Sequence, residues 1–184
     1  AEVLEVEKPD LVMLTGDIVY GKPAREGFEK ILAMIADAGV PWGFVFGNHD
    51  DEHEMSRADI MEMMLETPFC MMKASPKGIK GDTNYIIEVY GNGKKPSAVL
   101  YCLDSGSYRK DVPGIKWSYD WFGFDQVEWY RSASAKYTRS NGGKPVPSVA
   151  FFHIPFPEFA EMAAKGKYIG SRKEKECNGV LSTG

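Results

Sequence analysis

Apolar positions along this chain fall into short unbroken runs and longer periodic stretches. The run PDLVMLTGD (9–17) is apolar without alternation and stops at Thr-Gly-Asp. That pattern predicts a strand buried on both faces of a parallel sheet. In KPAREGFEKILAMIADAG (22–39), Phe28, Ile31, Leu32 and Ile35 recur at i, i+3, i+4 and i+7, one face of a helix. Pro23 suits its first turn, and Gly39 with Pro41 suits its end. A second apolar run, PWGFVFGNHD (41–50), completes a β-α-β unit. SRADIMEMMLE (56–66) predicts a short helix with Ser56 and Asp59 at capping-box spacing, its methionines Met61, Met63 and Met64 acting as core filler.

The pattern then changes. TNYIIEVYGNGKKPSAVLYCLDSG (83–106) holds two strand-like runs around a Gly-Asn-Gly turn and predicts an antiparallel hairpin. Residues 107–123 are aromatic and polar without a period, which suits an ordered surface loop. FDQVEWYRSASAKYTRS (124–140) reads as a helix with Asp125 as cap and Glu128 three positions on. VPSVAFFH (146–153) is a third apolar run ending in a polar residue, and PEFAEMAAKGK (157–167) predicts a further helix. The opening AEVLEVEKPD reads as the end of a helix.

The fold class these elements predict is α/β. With 184 residues the expectation is one domain, residues 1–184, without repeats or an interdomain linker. Hydrophobic content of 43% and charged content of 26% are ordinary for a globular protein. A net charge of −4 and the lack of a dense basic stretch disfavour a nucleic-acid partner. No apolar run approaches the ~20 residues of a membrane-spanning helix. The first residues show no basic or apolar leader pattern, so no signal peptide is read in this chain. Cys70, Cys102 and Cys177 fit neither a disulfide framework nor a zinc motif, and Cys102, inside an apolar run, reads as a buried thiol.

The candidate chemistry lies at the ends of the apolar runs. Asp17, Asn48 and His153 each terminate one. If the three strands are parallel neighbours, these side chains converge at one sheet edge, where open α/β sheets bind ligands. A carboxylate, an amide oxygen and an imidazole form a mixed oxygen and nitrogen set suited to Mn, Fe, Zn or Mg. Singly, each residue has an ordinary structural role: a turn cap, a left-handed turn or a hydrogen-bonded strand end. Gly16 and Gly47 add weight, because they let backbone approach closely.

The motifs Gly16-Asp17, Gly47-Asn48-His49-Asp50 and the strand-terminal His153 resemble those of the calcineurin-like metallophosphoesterases. PDLVMLTGD, WGFVFGNHDDE and FFHIPFPEF are most similar to the purple-acid-phosphatase-like branch. The resemblance implies a partial αββα sandwich with mixed sheets and helices on the outer faces. It implies a phosphoesterase acting on phosphorylated small molecules through two divalent or trivalent ions (Fe, Mn, Zn or Mg). In that reading Asp17 bridges the metals, Asn48 and His153 ligate the second, His49 is the general acid or an electrostatic stabiliser over the phosphate, and Asp50 orients it. Arg57 balances nearby carboxylates or contacts phosphate. Tyr20 stands either as a metal ligand at G-D-x-x-Y spacing or as an ordinary aromatic. Tyr108, Arg109, Lys110 and Trp117 are candidates to line a substrate pocket. Asp51–Glu54 reads as a solvated lead-in to the next helix, with His53 a bystander.

The family also carries an Asp-x-His (or Asp-x-Gly) motif before Gly-Asp and a Gly-His-x-His motif after the strand-terminal His. Neither occurs here. The resemblance therefore implies a domain cut at both ends, with an incompletely bound metal centre in this chain. It also implies uncovered sheet edges that invite a homodimer or swapped assembly. A periplasmic or extracellular parent follows by family analogy alone. A phosphodiesterase or nuclease of the same superfamily, and a non-catalytic interaction module, are the competing readings.

Overall fold

A computed structural model describes residues 2–109, 113, 118–156 and 158. The expected helix over 157–167, the charged tail, Cys177, Lys110 and Trp117 lie outside the described residues. The first element is helix α1 (Glu2–Glu7). Strand β1 (Val12–Leu14), helix α2 (Ala24–Ala38) and strand β2 (Trp42–Phe44) form the β-α-β unit, with β1 and β2 parallel and Val12 opposite Trp42. The backbone of Phe69 and Met71 brackets Trp42 on its other side. Pro23 stands immediately before α2, and Gly39 closes the helix in the left-handed conformation with its N–H on the Ala36 carbonyl. Phe28, Leu32 and Ile35 are buried, and Ile31 packs beside them.

Helix α3 (Arg57–Glu66) has the expected capping box: Asp59 N donates to Ser56 Oγ at 3.2 Å, and Ser56 N donates to Asp59 Oδ2 at 2.9 Å. Met64 is buried, and Met61 and Met63 pack against the same core. Ser56→Ala removes one half of this box and should lower stability by about 1 kcal/mol in urea denaturation. A change within about 0.3 kcal/mol would mean that water serves the Asp59 amide equally well.

The hairpin is also as expected. Strands β3 (Tyr85–Tyr90) and β4 (Pro96–Cys102) are antiparallel, with Tyr85 opposite Cys102. Residues then alternate between two cores. Tyr85, Ile87 and Cys102 face β1, β2, α2 and α3, while Val99, Tyr101 and Leu103 face away from them. Against that outer face lies helix α4 (Phe124–Ser140), through Trp129, Tyr130, Ala133 and Tyr137. The layers are thus helices α2 and α3, the β1–β2 sheet, the β3–β4 sheet, then α4, a mixed α/β arrangement consistent with a partial αββα sandwich. Between residues 107 and 123 a two-stranded ribbon forms from β5 (Tyr108–Arg109) and β6 (Ser118–Tyr119). No helix among the described residues is long and apolar enough to cross a membrane.

Three expectations need correction. The third apolar run forms β7 (Ser148–Phe151), which pairs in parallel with β4, not with β1 or β2. The three motif-bearing strands are therefore divided between two sheets. Second, β1 is half-buried, not fully enclosed, and Ser148, Val149 and Ala150 of β7 are exposed. Third, the cap of α4 lies two residues before the expected Asp125. Gly123 is the N-cap, its N–H donating to Gln126 Oε1 at 2.8 Å, while Asp125 accepts from Lys80 N. Gln126 is buried because its amide nitrogen also donates to Asn84 Oδ1 and to the Asp104 carbonyl, tying α4 to the end of β4.

Candidate metal and phosphate site

The two sheets face each other, and their strand ends meet. Leu103 N donates to the Phe151 carbonyl and Ile154 N to Ser105 Oγ, each at 2.9 Å, which fastens the loop after β7 to the end of β4. His153 is carried on that loop. From the other sheet comes the loop after β1, where Gly16 (φ 88°) and Asp17 (φ 53°) occupy the left-handed region in succession. An aspartate tolerates this conformation better than most residues, but it needs to be held there.

Asp50 holds it. Its Oδ2 accepts from Asp17 N at 3.0 Å and Gly47 N at 2.8 Å, and its Oδ1 accepts from Ile18 N at 3.0 Å. Burial pushes the Asp50 carboxyl above the usual carboxylate range, and the three amides limit the rise. The two loops are in van der Waals contact. A Cβ on Gly47 would overlap Asp17 Oδ1 and its backbone nitrogen, and one on Gly16 would overlap Gly47. Glycine at both positions is therefore a packing requirement.

Asp17 and His153 are brought together across the sheets. His153 Nε2 lies 3.1 Å from Asp17 Oδ2, and His153 Nδ1 lies 2.8 Å from the Thr15 carbonyl. A carbonyl only accepts, so Nδ1 carries the proton and Nε2 is turned to the carboxylate. An imidazole nitrogen set against a carboxylate oxygen needs a proton or a cation between them. Fixing Nδ1–H on a backbone carbonyl is also how metal-ligating histidines are oriented. Asp17 Oδ1 accepts from His49 N at 2.9 Å, placing the Asn48-His49 segment beside this pair. Asn48 is buried and donates its amide nitrogen to the Tyr108 hydroxyl at 2.6 Å, so the side of the group able to ligate is its oxygen. Among the described residues no group of three His, Cys, Asp or Glu side chains is placed to hold a metal ion. The donor set is a carboxylate, an imidazole and an amide, which fits a hard or borderline divalent ion.

The expected partner of His49 is corrected. Both Asp50 oxygens are engaged by backbone amides, and the carboxylate on the His49 ring belongs to Glu52, with Oε2 2.7 Å from Nδ1. The stretch 51–54 is solvated as expected, with Glu52 and Glu54 exposed, but its carboxylates also have partners. Asp51 pairs with Arg57, Glu52 with His49, and Glu54 accepts from Ala24 N at the start of α2. The rings of His53 and Tyr20 lie with their centroids 6.4 Å apart. Tyr20 is exposed and meets the His49 ring edge-on at 4.7 Å.

Arg57 balances carboxylates. Its Nη1 donates to both oxygens of buried Asp104 at 3.1 and 2.9 Å, its Nε to Asp51 at 3.3 Å, and its plane covers Phe46. Burial works against its charge, but Asp104 and Asp51 outweigh that and hold it above its ordinary pKa. Asp104 and Glu52 were not singled out from sequence. Asp104 did carry a signal, a lone carboxylate closing the apolar strand VLYCLD.

The chain belongs to the calcineurin-like phosphoesterase family, whose pattern matches residues 1–177. Two relatives from Arabidopsis thaliana carry the name probable inactive purple acid phosphatase: number 29 is 32% identical and number 14 is 30% identical, covering 95% and 97% of this chain and 49% of each relative. Phosphatase DCR2 of Saccharomyces cerevisiae is 34% identical over 89% of this chain and 29% of its own length. The chain thus spans about half or less of the curated relatives it matches. No solved structure matches. Proteins of this family generally use divalent metals and act as phosphoester hydrolases.

Proposed function

We propose that this chain carries part of a metal-dependent phosphomonoesterase, with Asp17, Asn48 and His153 as ligands and His49 as the proton-bearing group over the substrate. The observation that carries this reading is the Asp17–His153 pair, assembled from two different sheets with His153 held through Nδ1 on Thr15. When bound, two cations would neutralise phosphoryl charge and lower the pKa of the attacking water. The chain's own residues supply the rest. Asp50 fixes the loop that presents Asp17. Tyr108 takes the Asn48 amide nitrogen as a donor, so the amide oxygen is the atom that would hold a metal. His49, held by its backbone on Asp17 and by its ring on Glu52, donates a proton to the departing ester oxygen.

The names of the Arabidopsis relatives favour a second reading, a domain that keeps the fold without turnover. A chromogenic phosphate monoester, assayed with Mn, Fe, Zn or Mg, separates the two. The assay uses this chain and one extended at both ends to the length of its relatives. Metal-dependent hydrolysis abolished by chelator is expected in the extended chain, and His49→Asn should lower kcat roughly 10²- to 10³-fold. Hydrolysis in neither chain, with any metal, supports the non-catalytic reading. Faster turnover of a phosphodiester than of the monoester would reassign the substrate class.

A further inference from the structure

Glu52 stands three residues after His49, in a turn closed by Glu52 N donating to the His49 carbonyl at 3.3 Å. The turn swings the Glu52 carboxylate onto the ring, with Oε2 2.7 Å from His49 Nδ1. Behind it stands Tyr108. Its hydroxyl accepts from Asn48 Nδ2, bonds to Glu52, and lies 3.4 Å from the same His49 nitrogen. With its oxygen accepting from Asn48, the phenol has its one hydrogen left to donate to the Glu52 carboxylate. Burial works to raise the Glu52 carboxyl, but hydrogen bonds from His49 and Tyr108 outweigh it and hold the group below its ordinary value. The edge of Tyr20 packs on the imidazole at 4.7 Å. The ring is thus gripped at Nδ1 by one carboxylate, with a phenol securing that carboxylate.

We propose that Glu52, secured by Tyr108, is the positioning residue of His49, holding the imidazole with its proton on Nδ1 so that Nε2 faces the substrate. A carboxylate only accepts, so the short contact selects the Nδ1–H tautomer and leaves Nε2 as the exchanging atom. In the forward step a water oxygen bonds to phosphorus and gives up a proton to solvent, while the P–O bond to the leaving group breaks and its electron pair stays on the departing oxygen. That oxygen takes the proton from Nε2. The neutral ring left behind keeps Nδ1–H on Glu52, and Nε2 is reprotonated from solvent for the next turnover. The catalytic consequence rests on the phosphomonoesterase reading; the tautomer assignment does not.

The two are tested separately. The chain holds three histidines, so ring ¹⁵N resonances of histidine-labelled protein can be assigned by single substitutions. Above the imidazole titration range, His49 should show a protonated Nδ1 and a bare Nε2. Glu52→Ala should move it toward Nε2–H, and Glu52→Gln, whose side-chain carbonyl still accepts, should restore the parent pattern. In the extended chain Glu52→Ala should lower kcat about tenfold with KM changed by less than about twofold, and Glu52→Gln should recover most of the loss. Unchanged His49 ring shifts in Glu52→Ala overturn the proposal, as does loss of the Nδ1–H pattern in a folded Glu52→Gln protein. Absence of hydrolysis in every variant defeats the phosphomonoesterase reading and leaves the ring shifts to decide Glu52.

Discussion

Asp50→Ala should lower the stability of this chain by about 3–4 kcal/mol, enough to unfold a large fraction of a marginally stable domain. Three backbone amides, those of Gly47, Asp17 and Ile18, lose their acceptor together. An unmet buried donor costs about 1–3 kcal/mol, reduced where water can enter. The loss is concentrated on a loop already in an unfavourable conformation, because Gly16 and Asp17 both sit at positive φ. Without the carboxylate that conformation rests on the Asp17–His49 hydrogen bond and the Gly16–Gly47 contact. Asp50→Asn should be intermediate. Its oxygen can replace Oδ2 under Asp17 N and Gly47 N, but its NH₂ then faces the Ile18 N–H, donor against donor. Urea denaturation of the three proteins gives the order directly. A loss within about 1 kcal/mol for Asp50→Ala would show that the loop is held by packing between Gly16 and Gly47 instead.

Asp50 also marks what a linear reading can and cannot reach. The buried face of α2, the Ser56–Asp59 cap and the β3–β4 hairpin follow from local periodicity and turn chemistry, and each is present. The strand-end positions of Asp17, Asn48 and His153 are equally local. Which strands neighbour one another is not. β7 has an apolar run like those of β1 and β2, yet it pairs with β4, and nothing in four residues of strand specifies a partner fifty positions away. Asp17 and His153 meet all the same, because facing sheets bring their strand ends together as adjacent strands would. The role of Asp50 was misread for a related reason. Its neighbour in sequence is His49, but the side chain turns to amides 32 and 33 residues earlier. His-x-x-Glu, from His49 to Glu52, was the legible signal for the ring's true partner, since a single turn joins i to i+3. Arg57 with Asp104, 47 positions apart, was readable only as a cation and a carboxylate each in need of a partner.

The largest effect on chemistry is expected from Asp17→Asn, and it should leave the fold intact. Asp17 Oδ1 accepts from His49 N, and an asparagine oxygen can do the same. The change falls on the other side of the group. Where Oδ2 now faces His153 Nε2 at 3.1 Å, an amide NH₂ would donate to that nitrogen. His153 cannot turn away to compensate, because Nδ1–H is fixed on the Thr15 carbonyl. One substitution therefore removes the only carboxylate of the proposed donor set and also occupies the imidazole lone pair a cation would use. Stability should remain within about 1 kcal/mol of the parent, in contrast to Asp50→Ala. Calorimetric titration with Mn or Zn should show the largest loss of affinity among these variants. In the extended chain metal-dependent hydrolysis should fall on the order of 10⁴-fold, corresponding to about 5–6 kcal/mol of transition-state stabilisation. An Asp17→Asn protein that binds metal and hydrolyses the monoester as the parent does would place the cations elsewhere. The Asp17–His153 contact would then be an ordinary ion pair, joining two sheets and doing no more.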